Sequence, residues 1–245
     1  MDKALYISMT GAKHNMMAQT AHSNNLANAN TTGFRADFAQ ARSMGVYFGE
    51  GQPTRAYSMT ERPATDFRPG TVMETGRNLD IAVQGEGFIG VENEAGGIAM
   101  TRAGHLYVDS AGILRNSSNR PVLGSGGPIA IPPAEKIDIG SDGTITVKVA
   151  GEQEPVVLDR IRLVNPAAAD IEKREDGLVY MKDDSLPPID GQVAIVDGFL
   201  ETSNVNTVNE FTEIMSQSRQ YEMQIKLMKT VEQNSESSAR LLQMS

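Results

Sequence analysis

From Thr207 onward nothing interrupts a helix: there is no Pro and no Gly, and an apolar pattern persists. Phe211, Ile214, Ser218, Tyr221, Ile225, Met228, Ser235, Ala239 and Leu242 follow the a and d spacing of a heptad. Met223, Leu227 and Val231 make a second stripe at intervals of four. About 36 residues at 1.5 Å rise give a rod of roughly 54 Å, longer than the ~30 Å span of a small domain. Such a helix projects from its domain or lies along a neighbour, and its two apolar stripes ask for two partners. Thr207, followed three residues later by Glu210 and then by Phe211, predicts a capping box at its start.

The other end of the chain predicts a matching element. Between Ala4 and Leu26, Leu5, Met9, Ala12, Met16 and Leu26 recur near helical spacing, with no Pro among them. Gln19 and Ser23 interrupt the stripe, so it is a poor core for a monomer and suits shared, partly polar contacts. Of 13 Met residues, Met9, Met16, Met17, Met215, Met223 and Met228 fall in these two helices. Flexible thioethers repack against non-identical neighbours, and they fill an ordinary helix core equally well.

Between the helices the period changes. Residues 44 to 78 carry Gly45, Gly49, Gly51, Pro53, Pro63, Pro69 and Gly70 with few runs of either period, and read as connecting chain. After "LDIAVQGEGFIGV" come turn signals at Glu94-Ala95-Gly96-Gly97, Asp109-Ser110-Ala111-Gly112, Ser125-Gly126-Gly127-Pro128, Ser141-Asp142-Gly143 and Asp176-Gly177. Short Val, Ile and Leu-rich runs separate them, the pattern of successive hairpins. The expected class is therefore α+β, a mainly-β central domain with long terminal helices that pair as an antiparallel coiled coil. The expected division is 1–34 helix and corner, 35–78 extended linker, 79–200 all-β domain and 201–245 helix.

Chemistry is harder to find. Gly85-Glu86-Gly87-Phe88-Ile89-Gly90 matches the dinucleotide fingerprint, but "VENEAGGIAMTR" then supplies a turn and a strand where the fingerprint needs a helix N-terminus. Glycines opening a turn between strands explain it better. His14 and His22 lie about 12 Å apart along one helix, too far for one metal, and read as solvated. His105 has no Ser, Cys or carboxylate at a spacing that suggests a triad. Asp109, Asp142, Asp176, Asp183 and Asp184 read as hairpin residues, outside any calcium-loop pattern. Asn30 and Asn116 begin formal glycosylation sequons, with no secretory leader readable in "MDKALYISMTGAKHNMMAQTAHS". No catalytic residue, metal ligand or cofactor site is expected, and no small-molecule substrate.

With 22 Lys and Arg against 31 Asp and Glu, the formal charge is −9, which argues against sequence-independent nucleic-acid or anionic-membrane binding. The absence of Cys removes disulfides and thiolate metal sites. Protein partners are the expectation. Two readings of that remain: a subunit of a larger assembly, or a soluble dimeric module with a ligand-binding β surface.

Four stretches, in order, decide between them: "SNNLANANTTGFRAD", "LDIAVQGEGFIGV", "TRAGHLYVDSAGILRNSSNRPVLG" and "GFLETSNVNTVNEFTEIMSQSRQYEMQIKLMKTVEQN". In words, order and spacing they resemble the axial proteins of the bacterial flagellum, within them the basal-body rod proteins. The proximal-rod type fits best, and the distal-rod type, whose segment after the first motif tends to be longer, is the alternative. The resemblance implies a structural subunit of the drive shaft that transmits torque, assembling helically with copies of itself, proximal subunits below and distal subunits above. It also implies passage through the flagellar type III export apparatus without a cleaved signal peptide, and a rod location across the periplasm. Expected inter-subunit contacts are Leu5, Met9, Met16, Leu26, Phe211, Ile214, Tyr221, Ile225, Met228 and Leu242. Asn24, Asn25, Leu26, Asn28, Thr32, Gly33, Phe34, Asn204 and Asn206 are expected to fix the corner where the inner helices leave for the outer layer, with Phe34 its apolar anchor.

Overall fold

The computed structural model describes residues 4–38, 41–45, 56–60, 64–149 and 154–243, with the backbone alone for 41–45, 56–60 and 241–243. Gly49, Gly51, Pro53, Pro63 and the side chain of Leu242 lie outside what is described. The chain divides into two compact units, one of Met1–Ala29, Ala36–Asp66 and Val205–Ser245, the other of Asn30–Arg35 and Phe67–Asn204.

The first unit holds two helices that pack on each other, α1 (Ala4–Ala27) and α2 (Thr207–Gln243). An antiparallel hairpin, Ala41–Gly45 with Ala56–Thr60, packs against α1 through its second strand, and a two-residue pair joins Asp37–Phe38 to Ala64–Thr65. The side of α1 that meets α2 is small and polar. A Cβ at Gly11 would sit 3.1 Å from the Gln224 amide, and His22 Nδ1 lies 2.6 Å from Glu210 Oε2. Ser8, Gly11, His22 and Asn25 share that face of the helix. Leu5, Met9 and Met16 share a different one. Small residues let two helix backbones approach closely, so the pair forms while Leu5, Met9 and Met16 stay exposed.

The start of α2 differs from the capping box expected at Thr207. Asn206 is the cap: its Oδ1 accepts from the Val208 and Asn209 amides at 3.1 and 3.2 Å, two of the donors a helix N-terminus leaves unpaired. Glu210, expected to reach back to the cap, turns to His22 and Asn25 instead.

The second unit is antiparallel β throughout its described residues. A five-stranded sheet runs in the order Leu163–Val164, Phe88–Glu92, Ile98–Thr101, Val179–Met181, Ile171–Lys173. A three-stranded meander follows in chain order: Ala134–Ile139, Thr144–Val149, Val156–Arg160. Two-stranded pairs join Ile81–Gln84 to Ala194–Asp197, Val72–Glu74 to Phe199–Glu201, and Leu106–Val108 to Leu114–Asn116.

The unbroken apolar run "FIGV" has a physical cause in this sheet. Successive side chains on a strand point to opposite faces. Ile89 and Val91 enter the main core with Ile81, Leu106, Leu114, Ile145 and Leu163, whereas Phe88 enters a smaller core with Met100, Val164, Ile171 and Val179. A sheet covered on both faces reads as a continuous apolar run instead of an alternation. The turns follow the residues that signalled them. Asp109 Oδ1 accepts from the Ala111 and Ile113 amides while Gly112 takes φ +83°, and Asp176 Oδ1 accepts from Leu178 while Gly177 takes φ +78°.

Candidate functional site: corner loops and helix faces

The corner residues fall in both units. In the first, Asn28 closes α1, its amide donating to the carbonyls of Asn24 and Asn25 and its side chain again to Asn24, so an Asn satisfies carbonyls that the helix end would leave bare. Asn24 itself is exposed and Leu26 half-buried. Asn25 is fully buried: its side-chain amide pairs with both main-chain groups of Asp37, donating to the carbonyl at 2.8 Å and accepting from the amide at 2.9 Å. It imitates a strand neighbour. His22, expected to be solvated, is largely covered and paired with Glu210.

In the second unit Gly33, Phe34 and Asn204 gather around a residue that sequence reading passed over, Glu201. The Gly33 amide donates to the Glu201 carbonyl at 2.9 Å, and Gly33 takes φ +68° where a Cβ would overlap the Arg102–Ala103 peptide. Only Gly fits there. Phe34, half-buried, carries the Lys173 ammonium 3.9 Å over its ring, so it anchors through a cation–π contact. Lys173 also donates to the Arg35 carbonyl. Thr32 is half-buried in the same loop.

Glu201 is 1% exposed and stands between two equally buried guanidiniums. Arg35 Nη1 lies 2.6 Å from Oε1 and Arg102 Nη1 2.8 Å from Oε2. The Gly70 amide donates to Oε1 as well. Arg102 also reaches the carbonyls of Val83 and Gly85 and stacks over Phe88, and Arg35 reaches the Arg68 carbonyl. Burial presses the Arg102 guanidinium below its ordinary pKa, with Glu201 pulling it back and Arg35 adding to the depression. The three charges lie in separate stretches, "TTGFR", "MTRAG" and "FLETS", and none of these marks its charge as buried. Charged residues almost never sit fully buried unless paired, and here the three pair with one another.

Two other sequence readings change or sharpen. Gly85 and Gly87, both at positive φ, form the turn between Ile81–Gln84 and Phe88–Glu92, with a strand following where a dinucleotide site would need a helix. His105 does meet a carboxylate: Asp80, its partner across an isolated bridge, brings Oδ1 to 2.9 Å from His105 Nδ1. A 25-residue separation hid that contact, because only the strand register brings the two together. Among the described residues no group of three or more His, Asp or Glu is placed to hold a metal ion, and no helix is long and apolar enough to cross a membrane.

The helix residues expected to meet neighbours separate into two sets. Met9 and Met16 are each 60% exposed, Phe211 58%, Ile225 41%, Leu5 38% and Tyr221 37%. Ile214 and Met228 are half-buried, on the stripe of α2 that also holds Glu210 and Gln224, the residues touching α1. Tyr6 and Val208, which the sequence reading passed over, are exposed as well, as are Met17 and Met215, which it placed only among the helix methionines.

Known proteins resolve what this combination is. Three family descriptions match in order: flagella basal body rod protein over residues 5–35, the flagellar hook protein FlgE/F/G D1 domain over 82–147, and the flagellar basal body rod FlgEFG protein C-terminal over 196–241. The chain is 34% identical to the flagellar basal-body rod protein FlgF of Escherichia coli over the whole of both chains, and 33% identical to that of Salmonella typhimurium over the same span. It is 30% identical to the flagellar basal-body rod protein FlgG of Bacillus subtilis, over 93% of this chain and 94% of that one. The chain belongs to the flagellar basal-body rod protein family.

Proposed function

We propose that this chain is a structural subunit of the bacterial flagellar rod, of the proximal type, that polymerises through its two helices and carries torque as part of the drive shaft. The observation that carries the reading is the exposed apolar surface of α1 and α2: Leu5, Met9 and Met16 on one, Phe211, Met215 and Ile225 on the other. Contiguous apolar surface left open on a folded chain marks a place for another chain. Head-to-tail contacts whose rotation does not close build an open helical filament. Greater similarity to relatives named FlgF supports the proximal type; relatives named FlgG keep the distal rod as the second reading.

In this reading α1 and α2 form an antiparallel coiled coil, supported by Gly11 standing against Gln224 and His22 against Glu210. Residues 1–34 and 201–245 make the inner layer, 35–78 the connection and 79–200 the outer layer. Its partners are copies of itself and other rod proteins, and the flagellar type III export apparatus delivers it. The corner residues Asn24, Asn25, Asn28, Gly33, Phe34, Asn204 and Asn206 hold the chain where helix gives way to β structure. The role is structural, not catalytic.

Ile225→Asp tests it. The variant is expected to leave the β unit folded, with unchanged thermal unfolding, and to be absent from purified basal bodies of non-swimming cells. A variant that enters rods and restores swimming overturns the role given to α2. The dimeric-module reading instead requires a stable dimer of the purified chain at micromolar concentration, which size-exclusion mass detects.

A further inference from the structure

The chain passes between its two units four times, at Ala29–Asn30, Arg35–Ala36, Asp66–Phe67 and Asn204–Val205. Within the β unit, the residues beside these passages are tied into one network. Gly33 donates to the Glu201 carbonyl, Arg35 and the Gly70 amide meet the Glu201 carboxylate, and Arg35 and the Asn204 side chain both donate to the Arg68 carbonyl, at 2.8 and 3.1 Å. The Asn204 amide points at the Phe34 carbonyl. Arg102 holds the other carboxylate oxygen from the β core.

This network is a poor way to gain stability. Two guanidiniums face one carboxylate, and Arg35 Nε and Nη2 and Arg102 Nε, all buried, meet no acceptor among the described residues. Desolvating such a group offsets its Coulombic gain, and apolar replacements of similar volume often leave a protein as stable or more so. What directional charge pairs add in some proteins, beyond stability, is a fixed geometry.

The geometry points to Glu201 as a positioning residue for polymerisation: with Arg35 and Arg102 it locks the four connections to the β unit, so that they leave it in one arrangement that a neighbouring subunit can meet. This rests on the rod reading above, which supplies the polymer. An apolar triad would keep the fold and lose the lock.

The test replaces all three charges in the full chain, Arg35→Met, Arg102→Met and Glu201→Leu together. Thermal unfolding is expected at or above the native midpoint, while hydrogen exchange at the Gly33 and Asn204 amides rises roughly tenfold. Their acceptors, the carbonyls of Glu201 and Phe34, survive every substitution, so faster exchange there reads a loosened connection and not a lost partner. Cells carrying the variant are expected to export it and fail to complete a rod. A triple variant with native exchange at both amides, or one that builds rods as the native chain does, overturns the proposal. Asn204→Ala gives a charge-free check should the triple variant not fold: faster exchange at Gly33 with an unchanged midpoint supports the lock, and unaltered exchange overturns it. If the native chain itself is absent from rods, the function reading fails, whatever the exchange data show.

Discussion

The two units bury opposite chemistry. In the β unit Ile81, Ile89, Leu106, Leu114 and Ile145 have essentially no exposed surface, whereas the buried side chains of α1 are Ser8, Ala12 and Asn25, with Leu5, Met9 and Met16 left open. One unit has spent its apolar residues on itself; the other keeps them facing outward. An isolated pair of narrow-striped helices gains little from pairing against the entropy of ordering it. The difference suits a polymer subunit as proposed above: one unit with an apolar core of its own and another with apolar helix surface open to neighbours.

The largest expected effect sharpens this contrast directly. Leu106→Ala is expected to lower stability by about 2–5 kcal/mol, the transfer loss plus the cavity left behind. Met16→Ala, an equal or larger truncation on an exposed helix face, is expected to fall within about 0.5 kcal/mol in the isolated chain. Chemical denaturation of both variants checks it. Equal losses would mean that Met16 already packs in the monomer, and the contrast between units would collapse.

A smaller effect probes the polar interior of the helical unit. Asn25→Ala removes the amide that pairs with both main-chain groups of Asp37. Leaving that buried amide and carbonyl unpaired costs about 1–3 kcal/mol. The loss is expected in helix signal by far-UV circular dichroism, with the β unit's transition unmoved. A shift of the β transition instead would place Asn25 in the wrong unit's ledger.

How much of this was legible depended on range. The helices were readable because their signal repeats every three or four residues: the expected Ala4–Leu26 became Ala4–Ala27, and the second helix begins at Thr207 as expected. Turns such as Asp109-Ser110-Ala111-Gly112 were readable because Asp and Gly act within four residues. The Asn206 cap lay one residue from the expected one, since Ser, Thr, Asn and Asp all serve and only geometry chooses. Glu201 was not readable. Its partners lie 166 and 99 residues away, as 201 − 35 and 201 − 102 give, and no local pattern announces a contact that the whole topology makes. The same limit hid Asp80 from His105, and it left the side of α1 facing α2 unassigned, because small and polar residues carry no apolar period.

The smallest effect is a pH dependence, and it too divides the units. Hydrogen bonds hold three turn carboxylates of the β unit below the ordinary Asp range: Arg115, then the Ile113 amide, at Asp109; the Thr144 hydroxyl, then its amide, at Asp142; the Ser185 hydroxyl, then its amide, at Asp183. A depressed folded pKa gives stability that is fully present above the unfolded value, about 3.9, and is lost as pH falls through the lower folded value. The β transition is therefore expected to hold steady from neutral pH to about pH 5 and to weaken below about pH 4. Asp142 and Asp183 are exposed and the half-buried Asp109 lies in a surface turn, so water and salt screen the effect and it stays small. Calorimetry of the native chain beside Asp109→Asn separates the turn from the general acid response: the variant is expected to show a shallower fall below pH 4. If both fall with the same slope, the Asp109 turn adds nothing to the acid stability of the β unit.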